Sequence, residues 1–285
     1  MKLCRFQPLE FTVDAMGASI DPAPLYGIVE SGSVRELLGS PLTEWRLGER
    51  TWRLDRVRLL APAVPSKIIC VGRNYREHAA EFGNPVPKDL IIFLKPPSSV
   101  IGPEEPIVLT PLSRRVDYEG EIAVVIGRRC YQLDDSADVP SYVLGYTCLN
   151  DVTARDLQRA DVQWTRGKGF DTFCPIGPVI ETELDIANAA VETYVNGAKK
   201  QSAPVTDMVF AIDYIVRFIS NVMTLLPGDV IATGTPSGVG QLSAGDVVEV
   251  AVKGVGTLRN PVAAQGSHEL AVTAAALKTE EVARR

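Results

Sequence analysis

Residues 116–127 read Val116-Asp117-Tyr118-Glu119-Gly120-Glu121-Ile122-Ala123-Val124-Val125-Ile126-Gly127, so that acidic residues at alternate positions give way to an unbroken apolar run. Alternation with a period of two is typical of a β-strand, and the apolar run predicts that the strand continues into the core. Strand geometry places the side chains of Glu119 and Glu121 on one face, about 6.5 Å apart along the backbone. Asp117 shares that face.

Two interpretations of this carboxylate pair stay open. Glu119 and Glu121 can belong to the solvated outer face of an antiparallel strand. Alternatively, because Ala123 and Val125 continue the same face, the carboxylates lie near a buried edge, where a divalent cation would offset their repulsion. Oxygen ligands with no nearby His or Cys favour Mg²⁺, Mn²⁺ or Ca²⁺ over zinc.

Asp151 is the candidate third ligand. It lies in Asn150-Asp151-Val152-Thr153-Ala154-Arg155-Asp156, where a predicted strand ends and a helix begins. The same position also suits an N-terminal helix cap, a role that Thr153 would fill equally well. Ligation and capping therefore both remain open for Asp151.

Short β-branched runs bounded by Gly, Pro and Asp recur along the chain and predict more strands than helices. Beyond residue 65 the predicted strands are 91–94, 122–126, 142–149, 178–181, 191–195, 229–233 and 247–252. Helices are predicted over 74–82 and over 212–225, where apolar residues follow a period of 3.6, and a shorter one near Thr153. The pattern predicts an α+β, β-rich fold.

A proline-rich break, Ala61-Pro62-Ala63-Val64-Pro65, divides the chain. Before it, strands are predicted over 3–6, 26–29 and 51–54, with one short helical piece over 34–38. We therefore predict a small β-rich N-terminal domain over 1–65, a catalytic domain over 66–265 and a C-terminal tail over 266–285.

Composition narrows the classes of function. The 285 residues include 29 basic and 35 acidic side chains, giving a formal net charge of −6, and 46% of them are hydrophobic. Nucleic acid is not an expected partner, because phosphate binding needs clustered positive charge. No apolar run reaches signal-peptide or membrane-spanning length, so we expect a cytoplasmic protein without a membrane partner. The five cysteines form no Cys-x-x-Cys pair, which argues against disulfides or a thiolate zinc site.

His78 and Glu81 are three residues apart in a predicted helix. This spacing puts both on one helix face, where Glu81 can bond an imidazole nitrogen and make His78 a general base. An exposed surface pair has the same spacing. The only other histidine, His268, has no comparable context and is assigned no role.

Two glycine-rich segments offer further candidate groups. Lys168 lies between two glycines in Arg166-Gly167-Lys168-Gly169-Phe170-Asp171, which suits either close backbone approach to a ligand or a flexible surface loop. The turn Thr233-Gly234-Thr235-Pro236-Ser237-Gly238-Val239-Gly240 has neither P-loop nor dinucleotide-binding spacing. Its backbone donors and the Thr235 hydroxyl suit a substrate carboxylate or oxyanion.

Six motifs in this order resemble the fumarylacetoacetate hydrolase family, over about residues 66–262. They are Gly72-Arg73-Asn74-Tyr75 with His78 and Glu81, Phe93-Leu94-Lys95-Pro96, Tyr118-Glu119-Gly120-Glu121, Asn150 to Asp156, Lys168-Gly169-Phe170-Asp171, and Gly234 to Gly240. The resemblance implies a β-rich α+β fold with a rolled, barrel-like mixed sheet, and a homodimer.

The resemblance also implies the site. It assigns the metal ligands to Glu119, Glu121 and Asp151, the catalytic residues to His78, Glu81 and Lys168, and substrate contacts to Arg155, Gln158 and Thr235. The metal would be Mg²⁺ or Mn²⁺, with Ca²⁺ as a non-native occupant, and the substrate a small anionic 2-oxo acid.

Several reactions fit such a site, because a cation that chelates a 2-oxo acid stabilises the enolate left when a bond at C3 breaks. We expect hydrolytic carbon–carbon cleavage of an acylpyruvate-like acid. The alternatives are decarboxylation or tautomerisation of oxaloacetate, and isomerisation or decarboxylation of a hydroxymuconate-type diacid. A non-catalytic metal-dependent binding protein and a structural domain are the rival classes.

Overall fold

A computed structural model describes residues 1–10, 12–13, 19–20, 22–81, 83 and 85–266. Apart from Gly266, the predicted tail 266–285, and His268 with it, lies outside the described residues. Among the described helices, none has both the length and the apolar character needed to cross a lipid bilayer.

The described part of the chain contains four α-helices and many more strands. The helices are α1 (Arg76–Glu81), α2 (Arg155–Ala160), α3 (Thr165–Lys168) and α4 (Ile212–Val222). The strands are β1 (Lys2–Pro8), β2 (Thr12–Val13), β3 (Ser19–Ile20), β4 (Leu25–Glu30), β5 (Ser33–Gly39), β6 (Trp45–Arg53), β7 (Val57–Leu60), β8 (Ile68–Gly72), β9 (Ile91–Lys95), β10 (Val100–Ile101), β11 (Ile107–Leu109), β12 (Val116–Tyr118), β13 (Gly120–Ile126), β14 (Val143–Asn150), β15 (Thr153–Ala154), β16 (Cys174–Glu181), β17 (Ala190–Val195), β18 (Ala198–Pro204), β19 (Val230–Ala232), β20 (Gly240–Gln241), β21 (Val247–Val252) and β22 (Gly256–Ala264).

Most strands belong to two mixed sheets. The larger has the order β6-β5-β4-β1-β16-β14-β13-β19-β8-β9, with β7 joined to β1 and β10 to β16. Its pairs are antiparallel except β8 with β19 and β10 with β16. The second sheet runs β11-β22-β21-β17-β18. The predicted α+β, β-rich fold with mixed sheets is confirmed, and neither sheet closes into a barrel over the described residues.

Strand β13, the apolar run that follows Glu119, lies in the middle of the larger sheet. Its alternate residues enter two different core clusters, Ile122, Val124 and Ile126 on one side and Ala123 and Val125 on the other. The sheet is therefore covered on both faces here, which explains why the strand is a continuous apolar run rather than an alternating one. The helix α4 and the second sheet pack against the first side.

Three predicted elements differ from the structure. The predicted helix 34–38 is wrong, because those residues form strand β5, paired with β4 and β6. The helix predicted from Thr153 begins at Arg155 instead, because Thr153 and Ala154 pair with β12 as a short strand. The helix predicted over 212–225 ends at Val222, and Leu225 then bonds across to Cys130.

Most N-terminal strands are part of the larger sheet, whereas β2 and β3 form a separate two-stranded sheet. Strand β1 pairs with β16 of the predicted catalytic domain, with Lys2 opposite Glu181 and Leu3 opposite Ile180. The division at residue 65 remains a prediction.

All five cysteines are buried and none forms a disulfide.

Candidate active site

The carboxylates predicted from the sequence meet where β13 begins. Glu119 lies between β12 and β13, Glu121 is the second residue of β13, and Asp151 follows the end of β14. One carboxylate oxygen from each of the three lies within 4.8 Å of the other two, and all three residues are buried. The structure therefore brings the predicted metal ligands together.

Backbone and amide hydrogen bonds hold this corner of the sheet. The amide N–H of Asp151 donates to the carbonyl of Glu119 over 2.8 Å. The amide of Glu119 donates to Asn150 Oδ1 over 2.9 Å, and that of Gly120 to Gln201 Oε1 over 3.0 Å. Asp151 does not cap α2, because Ala154 occupies the N-cap position without a side-chain bond.

Three buried cations surround the cluster. Lys168 Nζ bridges Glu119 Oε2 at 2.6 Å and Asp151 Oδ2 at 2.7 Å. The second oxygen of Asp151 accepts from Lys95 Nζ over 2.6 Å. The guanidinium of Arg155 donates to Glu119 Oε1 over 2.5 Å and also bonds Asp117. Asp117 is thus an anchor for Arg155 and Arg115 rather than a member of the carboxylate cluster.

The three carboxylates differ in their electrostatic environment. Burial raises the pKa of Glu119, but Lys168 and Arg155 outweigh it and bring the pKa well below its usual range. Burial, reinforced by the neighbouring charges of Asp151 and Glu119, raises the pKa of Glu121 well above its usual range. Only the amide N–H of Gly234, 2.7 Å from Glu121 Oε2, bonds that carboxylate among the described residues.

This donor set fits a hard divalent cation. Three carboxylates can each supply an oxygen to one centre, and carboxylate oxygens are ligands that suit Mg²⁺ and Mn²⁺. Glu121 in particular is a buried acid that forms no ion pair within the described residues, a condition that a bound dication would relieve. Glu119, Glu121 and Asp151 are therefore the residues that would hold the metal.

His78 and Glu81 lie in α1, and the side chain of His78 is almost completely buried. His78 Nδ1 is 3.3 Å from Glu81 Oε2. Glu81 also accepts from the amide of Gly238, at 3.2 Å to Oε1, so the carboxylate is fixed from both sides. Burial lowers the pKa of His78 below its usual value of 6.5, although the charge of Glu119 acts in the opposite direction. The imidazole is therefore neutral near pH 7.

A cavity of about 420 Å³ joins these groups. Its wall contains all of the predicted site residues except Glu81, which contacts His78 Nδ1. The lining residues are Val71, Gly72, Arg73, His78, Phe93, Glu119, Glu121, Asp151, Arg155, Gln158, Arg159, Trp164, Lys168 and Thr235. The volume falls in the range of about 300–1,000 Å³ that small-molecule sites occupy.

The three predicted substrate contacts line the cavity but also have protein partners. Arg155 donates to Gln158 Oε1 over 3.0 Å. The Thr235 hydroxyl donates to the Gly120 carbonyl over 2.8 Å and accepts from Gln201 Nε2 over 2.8 Å. Their direct contact with substrate stays a prediction.

The glycines beside Lys168 serve packing rather than flexibility. A Cβ on Gly167 would come within 2.9 Å of the Gln158 backbone, and one on Gly169 within 2.6 Å of the Thr165 carbonyl. Lys168 is the last residue of α3, which packs on α2, and its ammonium is buried against Glu119 and Asp151. The interpretation of residues 166–171 as a flexible surface loop is wrong.

Sequence reasoning gave no role to several residues of the site. Lys95 is 1% exposed and bonded to Asp151, and Arg73, Arg159, Phe93 and Trp164 line the cavity. The sequence does contain an indication for Lys95, which ends the apolar run Ile91-Ile92-Phe93-Leu94. A lysine in a buried strand needs an acidic partner.

Comparisons with known proteins agree with this geometry. Residues 67–263 match the family model "Fumarylacetoacetate (FAA) hydrolase C-terminal", and residues 1–62 match "Rv2993c-like, N-terminal". Protein Rv2993c of Mycobacterium tuberculosis is 49% identical over 237 residues, which cover 82% of this chain and 89% of the relative. Oxaloacetate tautomerase YisK of Bacillus subtilis is 40% identical over 263 residues, which cover 85% and 87% of the two chains.

A solved structure is also similar over nearly the whole length. The 2-hydroxyhepta-2,4-diene-1,7-dioate isomerase from Mycobacterium marinum superposes with a TM-score of 0.81 at 43% identity, covering 93% of this chain and 99% of the other. Since the family model spans more than half of the sequence, the chain belongs to the fumarylacetoacetate hydrolase family.

Proposed function

We propose that the protein is a divalent-metal-dependent tautomerase or isomerase of 2-oxo acids, which moves a proton between C3 and the 2-oxo oxygen. The observation that carries the proposal is the single cavity shared by the carboxylate cluster and the His78 imidazole. One relative is named oxaloacetate tautomerase, and one similar solved structure is named 2-hydroxyhepta-2,4-diene-1,7-dioate isomerase. Both names describe reactions that move a proton, which supports the proposal. Hydrolytic carbon–carbon cleavage, the reaction expected from the sequence alone, is the second candidate.

The metal, Mg²⁺ or Mn²⁺, would supply Lewis-acid polarisation of the 2-oxo group from a position held by Glu119, Glu121 and Asp151. The protein holds these three carboxylates in place before metal or substrate binds. Lys168 spans two of them, and Lys95 fixes the far oxygen of Asp151.

His78 is the group that moves the proton. Its Nδ1 is paired with Glu81, so Nε2 is the nitrogen that takes the proton from C3 and delivers it to the 2-oxo oxygen, or carries it the other way in the enol-to-keto direction. The burial that lowers the pKa of His78 keeps Nε2 unprotonated at neutral pH, as a base must be. Glu81 favours the imidazolium once His78 has taken up the proton.

The cations of the site would attract the substrate's negative charge although the whole chain is acidic. Arg155 and Lys168 are buried beside the carboxylates, and the dication would add two further charges. The local potential would then be positive, which favours an anionic 2-oxo acid.

The proposal is tested by following enol-to-keto conversion of oxaloacetate with Mg²⁺, and by measuring pyruvate and acetate released from acetylpyruvate. We expect faster tautomerisation that EDTA abolishes and metal restores, and that falls by about 10²-fold or more in His78→Gln, the usual reach of general-base catalysis. Arg76→Gln, an exposed change on the same helix, should leave the rate unchanged.

Acetylpyruvate cleavage without tautomerisation would overturn the proposal in favour of hydrolysis. Carbon dioxide release from oxaloacetate at the same catalytic efficiency would indicate decarboxylation instead. Binding of metal and oxaloacetate without turnover of either compound would indicate a binding protein.

We also propose a homodimer located in the cytoplasm. Light scattering would then give twice the chain mass of 30.9 kDa.

A further inference from the structure

Two arginines in the cavity wall have no acidic partner among the residues that the structure describes. Arg155 and Lys168 are both committed to carboxylates of the site. For Arg73 and Arg159, by contrast, the structure shows neither a hydrogen bond nor an ion pair from the side chain to any residue in the described ranges. Their guanidinium groups are therefore available to an anionic ligand.

The charged groups of the cavity become less buried from its floor to its mouth. The carboxylate cluster, Lys168 and Arg155 are buried, Arg73 is half-buried and Arg159 is exposed. A ligand whose 2-oxo acid end faces the carboxylates would extend towards the two arginines. A charge on its far end would then meet Arg73 first.

The backbone of Arg73 is held in an unfavourable conformation. Its φ is +58°, the left-handed region that arginine adopts rarely and that Asn or Gly adopts more readily. The residues on either side enforce this turn. A Cβ on Gly72 would come within 2.9 Å of the Trp164 ring, and Asn74 bonds Phe210 and Thr233. An arginine kept at a strained position in a cavity wall points to a role for its side chain.

We propose that Arg73 binds the second carboxylate of a dicarboxylic 2-oxo acid, and so makes the enzyme select diacids over monoacids, with Arg159 assisting at the mouth. A guanidinium suits this task because its planar donors match a carboxylate and its charge does not titrate. This inference rests on the proposed function.

The test compares ligands that differ only at the far end. Oxaloacetate carries a carboxylate where 2-oxobutanoate carries a methyl group, and enzyme-dependent exchange of the C3 proton for deuterium can be followed by NMR for both. Malate and 2-hydroxybutanoate form the matching non-reacting pair, whose binding calorimetry measures without turnover. The matched control is Arg76→Gln, an exposed arginine three residues away that does not line the cavity.

Arg73→Gln should lower kcat/KM for oxaloacetate and the affinity for malate by about 10- to 100-fold, as expected for a lost hydrogen bond between charged partners. Values for 2-oxobutanoate and 2-hydroxybutanoate should stay the same, and Arg76→Gln should change none of the four.

Arg73→Asn separates binding from backbone conformation. Asn favours the left-handed region, so this variant should melt no lower than the parent and still lose the preference for diacids. The role of Arg73 would be overturned if Arg73→Gln and Arg73→Asn both fold and still prefer diacids. It would also be overturned if kcat/KM and affinity fell equally for the diacid and the monoacid. If the parent exchanges neither 2-oxo acid, the proposed function fails, and the malate arm still decides whether Arg73 binds the second carboxylate.

Discussion

Lys95 shows how single residues hold the carboxylate cluster together. Its ammonium is fully buried and bonds both Asp151 Oδ1 and the Val152 carbonyl, at 2.6 Å and 3.2 Å. A buried carboxylate is costly without such partners, and here two further acids lie within 4.8 Å. Lys95 therefore offsets the charge of the cluster in the metal-free protein.

Replacing Lys95 with Met should destabilise the metal-free protein by about 3–5 kcal/mol, the usual cost of breaking a buried ion pair. Because a dication would replace the lost positive charge, adding Mn²⁺ should raise the melting temperature more in the variant than in the parent. Thermal denaturation with EDTA and with Mn²⁺ measures both. The exposed Lys88→Met is the control. A smaller metal-induced shift in the variant would show that Lys95 chiefly orients Asp151.

The acid limb of the activity profile should report His78. Burial lowers the pKa of this histidine despite Glu119 and Glu81, so the base stays active below the usual value of 6.5. Its folded-state pKa is depressed, so its contribution to stability is complete above about pH 6.5 and is lost as the pH falls through the folded pKa. We expect kcat/KM to fall only below pH 6.5.

Glu81→Gln supplies the check on that assignment. Glu81 raises the pKa of His78, so its loss should move the acid limb of kcat/KM to lower pH while reducing the plateau. A limb that shifts upward, or does not move, would show that another group controls it.

At the residue level, the sequence indicates which side chains meet but not how each is held. The alternation of Glu119 and Glu121, followed by an apolar run, left a solvated face and a buried edge both open, and the structure buries both side chains. The glycines around Lys168 gave no comparable guide, because their close contacts are with Gln158 and Thr165 rather than with a ligand. Such contacts depend on tertiary packing that sequence spacing does not encode.

Among the elements, α1 depends most on its surroundings. It has six residues, too few for a stable isolated helix. Asn74 ties its start to the rest of the domain, accepting from the Phe210 amide over 2.8 Å and donating to the Phe210 and Thr233 carbonyls over 3.1 and 2.8 Å. The bonds from Gly238 to Glu81 and from Ser237 to Glu77 fix its other side.

Asn74→Ala should therefore loosen α1 more than the rest of the molecule. Three polar groups lose a buried partner, which we expect to cost about 2–4 kcal/mol of stability. Hydrogen exchange by mass spectrometry should show faster exchange over residues 76–81, and kcat should fall because His78 is less well positioned. Asn221→Ala, an exposed change in α4, is the control. Uniform acceleration of exchange across both sheets would contradict a local role for Asn74.

Elements are predicted correctly where one periodicity extends over many residues, and wrongly where strand pairing determines the conformation. The helix α4 was found because Ile212, Ile215, Val216 and Ile219 repeat on one buried face. Residues 34–38 suggested a short helix, but pairing with β4 and β6 on both sides makes them a strand. Local propensity over five residues is weak against two ladders of hydrogen bonds.

At the scale of the molecule, the proline break near residue 65 does not separate two sheets. Strand β1 bonds β16, so the N-terminal strands extend the sheet that contains β13 and β14. The fully buried Asp229 holds the start of the predicted catalytic domain, just after the break. Its Oδ1 accepts from the Ser66 hydroxyl over 2.6 Å and from the amides of Ser66 and Lys67 over 3.1 and 3.2 Å.

The continuity of the sheet predicts that the whole described structure unfolds in one cooperative step. Independent domains would each have their own transition, whereas strands paired across the break must separate together. Calorimetry should therefore give a single peak whose calorimetric and van't Hoff enthalpies agree. Asp229→Ala should lower the melting temperature of that single peak, because Ser66 and Lys67 lose their hydrogen bonds to the buried carboxylate. Two resolved transitions in the parent, with only one of them sensitive to Asp229→Ala, would show that residues 1–65 form an independent domain despite the shared sheet.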